Sequence, residues 1–161
     1  MKRSAAREIA VQLGFSANAT GRPVDELLDE FFNEEYYKTL SAENELFAEY
    51  PEKKQREYIA RLVRTMDDYR VQIDKYIEKY AQGWKVDRIS KTAMAILRCA
   101  VCEILYMDDI PSGAAINEAI ELAKSYDEPE TVSFVNGVLG GLMRGEGLGD
   151  GAEEVPAETE Q

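Results

Sequence analysis

The sequence predicts an all-α protein. Apolar residues recur at i, i+3, i+4 and i+7 along almost the whole chain, and no run keeps a period of two long enough for a strand. Charged side chains, 31% of the 161 residues, fill the positions between. A chain of this length buries roughly 70% of its extended surface on folding, so its core needs neither a metal nor a disulfide.

The first helix carries the stripe Ala6, Ile9, Ala10 and Leu13. A turn from Asn18 to Pro23 separates it from Val24, Leu27, Leu28 and Phe31. Pro23 fits the opening of that second helix, and Asp25 and Glu26 fit its positive end. Residues 34–51, rich in Tyr and Glu, predict a short helix and a loop. From about Glu52 to Gln82 the apolar set runs from Ile59, Leu62, Val63 and Met66 to Ile73, Ile77 and Tyr80. It predicts one long amphipathic helix or two consecutive ones, ended by Gly83. Residues Ile89 to Met107 are apolar nearly all round, interrupted mainly by Lys91, Arg98 and Glu103. A helix without a polar face belongs at the centre of a bundle. Beyond the turn MDDIPSG, Ile116, Ala119, Ile120 and Ala123 form the next stripe. Pro129 opens the last helix, which carries Phe134, Val135, Val138 and Leu142, and Gly137, Gly140 and Gly141 in or just after that stripe suit close helix packing or fraying.

Composition narrows the chemistry. The chain has no histidine, which excludes His-dependent triads, His metal sites and the HExxH zincin motif. It has no Walker loop and no GxGxxG after a strand, and its carboxylates recur on polar helix faces rather than as isolated pairs. Cys99 and Cys102 are spaced as CxxC inside the most apolar helix. A redox CxxC sits at an exposed helix N-terminus, and a zinc site needs two further ligands, so both cysteines are read as packing residues. No catalytic residue, metal ligand or cofactor site is assigned. The N-terminus MKRSAAREIA lacks the apolar core of a signal peptide, and no run approaches the roughly 18 apolar residues of a membrane span. The expected address is the cytoplasm, with no membrane partner.

Charge is unevenly spread. The formal net charge is -12, from 31 acidic and 19 basic residues. Residues 148–161 hold Asp150, Glu153, Glu154, Glu158 and Glu160 with no basic residue, the composition of a disordered acidic tail. At the other end Lys2, Arg3 and Arg7 precede the first acid, Glu8. Such a cluster can hold phosphates even on an acidic protein, because the field is local. Inside the central helix Arg98 must find acceptors, and a carboxylate such as Glu118 is expected to supply them. Asn117 and Asn136 are expected to cap or bridge helices through their amides.

The second half carries a resemblance. ILRCAVCEILYMDDIPSGAAINEAIELAKSY followed by FVNGVL is similar to the signature of the NusB family of bacterial transcription antitermination factors. Ile96-Leu97-Arg98, the Asp109-Ile110-Pro111 turn, Ile116-Asn117-Glu118-Ala119, Leu122-Ala123-Lys124 and Phe134-Val135-Asn136-Gly137 stand in the family's order and spacing. Ala6-Arg7-Glu8 with Phe15 resembles the family's start, and the likeness covers roughly residues 3 to 143.

What the resemblance implies is a NusB-like all-helical domain over residues 1–147: two small bundles, about 1–82 and 83–147, sharing an interface. It also implies binding of the boxA element of ribosomal RNA leader transcripts together with the ribosomal protein NusE, in the complex that lets RNA polymerase ignore terminators. In that picture Lys2, Arg3 and Arg7 hold phosphates, Phe134 stacks an unpaired base, and Glu130 lies near the RNA. This chain departs from the family where Ser4 and Ala5 thin the Arg run and Gly113 replaces a frequent basic residue. Each lost cation removes about one phosphate contact. The competing reading is a helical protein-binding adaptor whose RNA binding is weak or incidental. The apolar helical faces leave a homodimer open. A similar domain opens ribosomal RNA cytosine methyltransferases, but these continue into a Rossmann-like catalytic domain where this chain continues into its acidic tail, so an enzyme is not expected.

Overall fold

Ala6, Ile9 and Ala10 are fully buried, so the stripe that predicts the first helix also anchors it. In the computed structural model, which describes residues 1–84, 89–126 and 128–148, that helix is α1 (Arg3–Thr20). Gly21 ends it in the left-handed region at φ 70°, its N–H bonded to the Ala17 carbonyl. Then follow α2 (Val24–Phe31), α3 (Glu34–Leu40), a 3₁₀ turn (Glu45–Phe47), α4 (Lys53–Asp68), α5 (Arg70–Tyr80), α6 (Lys91–Tyr106), α7 (Ser112–Ser125) and α8 (Pro129–Gly145). No strand occurs among the described residues. The acidic residues 149–161 lie outside them.

The chain forms two compact units, Met1–Asp68 and the remainder from Tyr69. In the first, α1 packs along α4, with Ile59 and Leu62 fully buried. The two helices approach closely at Gly14, where a Cβ would lie 3.0 Å from Met66 Cε. The segment 34–51 is the expected short helix and loop, held by rings. Tyr37 meets Phe31, Phe47 and Tyr50 edge to face, with centroids 5.2–5.9 Å apart. The polar tips are satisfied: the Tyr37 hydroxyl donates to the Glu49 carbonyl at 2.8 Å, and that of Tyr50 to the Phe32 carbonyl at 2.6 Å.

In the second unit α6 is the central helix, packed against α5, α7 and α8. Ser90 caps it, accepting the Ala93 N–H at 3.0 Å. Cys99 and Cys102 are both buried within it and are not joined in a disulfide. The stretch from Glu52 to Gln82 is two helices, broken at Tyr69, whose φ and ψ of -107° and 21° leave the helical region. Because α5 packs against α6 and α8, it belongs to the second unit. The boundary expected near residue 82 therefore falls at 68/69. The glycines of α8 serve close packing: a Cβ on Gly137 would lie 3.1 Å from the Trp84 ring, and one on Gly141 3.2 Å from Tyr80.

Candidate nucleic-acid interface

The N-terminal cations divide by burial. Lys2 and Arg3 are exposed at the start of α1, whereas Arg7, one turn on, is only 6% exposed. The Arg3 guanidinium lies over the Tyr58 ring of α4, 4.1 Å from its centroid, and that of Arg7 lies 5.8 Å from the same ring. Such stacking holds a guanidinium in place while leaving its N–H edge for other partners. Arg3 can therefore present donors to a phosphate. Arg7, expected as a phosphate ligand, instead sits inside the α1–α4 packing, beside a Glu8 carboxyl that partial burial raises above its usual range.

Phe134 and Glu130 come together in the second unit, on a groove of about 790 Å³ at the N-terminal ends of α6 and α8. Phe134, expected to offer an open face for stacking, is 2% exposed and faces the core. The solvent-facing ring is Trp84, which is 37% exposed and meets Phe134 edge to face at 5.2 Å. Sequence reasoning missed Trp84, the chain's only tryptophan. Its signal was a large aromatic beside the helix-ending Gly83.

The polar lining of this groove selects against phosphate. Pro129 has no N–H, and the N–H groups of Thr131 and Val132 are both bonded to the Glu128 carbonyl. The α8 terminus thus keeps few free donors for an anion. Glu130 stands exposed on the rim, and Glu128 accepts the Thr131 hydroxyl at 2.9 Å. Carboxylates beside an aromatic face repel phosphate and accept N–H groups from base edges.

The structural polar residues depart from expectation in their partners. Arg98 pairs with Asp74 of α5 rather than with Glu118, Nε to Oδ1 at 2.7 Å and Nη2 to Oδ2 at 3.4 Å. The short carboxylate on the neighbouring helix takes the guanidinium side-on, a geometry no spacing within α6 and α7 reveals. Glu118 is half-buried on α7. Asn117 is exposed and bridges no helices among the described residues, and the Asn136 Oδ1 is buried without a donor among them. Sequence reasoning also passed over α4. From Lys53 to Met66 it carries Lys53, Lys54, Arg56, Arg61 and Arg64 against one acid, Glu57.

Residues 4–144 match the NusB family. The chain belongs to that family. The transcription antitermination protein NusB of Symbiobacterium thermophilum is 36% identical over 154 residues, covering 96% of this chain and 97% of that protein. Among solved structures, T. maritima NusB superposes with a TM-score of 0.70 at 27% identity, over 98% of this chain and 96% of that one. A structure of antitermination factors NusB and NusE in complex with double-stranded RNA shares the fold at a TM-score of 0.68 and 24% identity, over 89% of this chain and 96% of that one. This NusB-family chain is thus a transcription antitermination factor and not an enzyme. No helix among its described residues is long and apolar enough to cross a membrane.

Proposed function

We propose that this chain binds boxA-type single-stranded RNA of ribosomal RNA leader transcripts together with the ribosomal protein NusE, within the complex that carries RNA polymerase past terminators. Membership of the NusB family supports the role. The observation that carries the RNA reading is the groove in which exposed Trp84 rests on buried Phe134 beside the Glu130 carboxylate.

The two units supply different physics. In the second, Trp84 offers a face for an unstacked base while Phe134 and Gly137 hold that ring in place from behind. Glu130 accepts an exocyclic or ring N–H from the base edge, which gives a preference that stacking alone lacks. In the first, Lys2 and Arg3 neutralise phosphates and contribute affinity without sequence preference. With Arg7 buried and residues 4 and 5 uncharged, the N-terminus alone offers few phosphate contacts, and NusE adds to the affinity.

The deciding experiment is RNA affinity, with and without NusE, for boxA RNA and a scrambled RNA of equal length. Tighter binding of boxA, strengthened by NusE, is expected. Equal affinity for the two RNAs in the presence of NusE would overturn the reading in favour of a protein-binding adaptor.

A further inference from the structure

Two helix N-termini meet in the first unit, and the first turn of each carries no carboxylate where carboxylates are usual. The N-terminal end of a helix is positive and ordinarily gathers carboxylates, as α2 does with Asp25 and Glu26 and α3 with Glu34 and Glu35. The first turns of α1 and α4 hold no acid at all. They begin instead with Lys2 and Arg3, and with Lys53 and Lys54. The two ends are tied side by side: Gln55 Nε2 donates to the Met1 carbonyl at 3.3 Å, and Arg3 lies over Tyr58, one turn along α4 from Lys54. All four cations are exposed, and among the described residues none has an ion-pair partner. The nearby terminal amine does, with Glu49 at 3.8 Å. Four like charges gathered at two positive helix ends repel one another, the exposed Glu52 carboxylate before Lys53 offsets them only in part, and such a concentration of unpaired cations marks a surface for a polyanion.

We infer that Lys53 and Lys54 form a second phosphate-binding element, continuous with Lys2 and Arg3, along which an RNA backbone runs across the first turn of α4. The inference rests on the RNA-binding reading above and deepens it by naming where the missing phosphate contacts come from. A chain with Ser4 and Ala5 in its first helix recovers positive potential from the neighbouring helix. The ligand chemistry is a polyanionic backbone; with the base-selecting groove on the other unit, this element adds affinity without preference for sequence.

The test is a salt series of affinities for boxA and scrambled RNA, with NusE present, on the full-length chain. The variants are Lys53→Gln/Lys54→Gln, Lys53→Arg/Lys54→Arg, and the charge-matched Lys38→Gln/Lys75→Gln, whose lysines are exposed elsewhere. The first should lower the slope of log affinity against log salt by about 1.4 and weaken binding of both RNAs roughly 25-fold at 0.1 M salt, taking about 0.7 per single-strand phosphate contact. The arginine variant should keep the wild-type slope, and the charge-matched variant should change it little. A slope unchanged in the first variant, or lowered equally by the charge-matched one, would overturn the inference. So would loss of NusE binding with RNA affinity intact. If the wild type fails to prefer boxA yet the first variant alone loses slope, the phosphate element stands and the boxA reading falls.

Discussion

Trp84 and Phe134 touch each other and yet answer to different forces. Phe134 is held by the core at 2% exposure, so Phe134→Ala removes a buried ring and costs about 3–5 kcal/mol of stability. Trp84 keeps more than a third of its surface in solvent, and its truncation removes a stacking face worth roughly 1–3 kcal/mol per base. Trp84→Ala is therefore expected to bind RNA more weakly with its salt slope unchanged and its helical circular dichroism intact. Phe134→Ala should lose thermal stability first and RNA affinity only as a consequence. Titrations of both variants, run beside melting curves, separate the two. A Trp84→Ala protein that is folded and binds like wild type would place the base elsewhere.

At the scale of elements, helical periodicity made nearly all of the fold legible, because a buried stripe is written at every third or fourth residue. It could not separate α4 from α5, since the apolar pattern runs on through Tyr69 while the backbone breaks there. Nor could it name partners across helices: Arg98 announced a need for acceptors, but Asp74 meets it from a helix 24 positions away. Of the candidate site, the terminal cations and Glu130 were visible, whereas the exposure of Trp84 in place of Phe134 depends on which ring the packing covers. The aromatic knot joining α2, α3 and the 3₁₀ turn has its own signature in pH. Burial, with the Glu49 carboxylate and Tyr50 adding to it, pushes the Tyr37 phenol up to about 12. The unfolded chain loses that proton near the ordinary value of 10.0, so the stabilisation is complete below pH 10 and falls as pH rises through about 12. Tyr37→Phe forfeits the hydrogen bond to Glu49 but should flatten the decline. Unfolding free energies of both proteins across pH 9 to about 12 give the slopes to compare. An equally steep decline in the variant would remove Tyr37 from the account.

Over the whole molecule, a net charge of -12 opposes the approach of any nucleic acid, so binding depends on where the 19 cations are gathered. Seven of them, Lys2, Arg3, Lys53, Lys54, Arg56, Arg61 and Arg64, lie on α4 or at the start of α1. Five of the acids lie between residues 149 and 161, and truncation after Leu148 takes the charge from -12 to -7. Repulsion from those carboxylates acts through the solvent and decays over about 10 Å at 0.1 M salt and about 3 Å at 1 M. The truncated chain should therefore associate with RNA faster and bind it more tightly at low salt, and converge on the full-length protein as salt rises. Its melting temperature should stay the same, because the removed segment, GDGAEEVPAETEQ, offers almost no apolar side chain to bury. Stopped-flow association rates at low and high salt make the measurement. Equal rates at low salt would reduce the tail to a solubilising end. A gain that persists at high salt would mean that the tail blocks the RNA by contact rather than by its field.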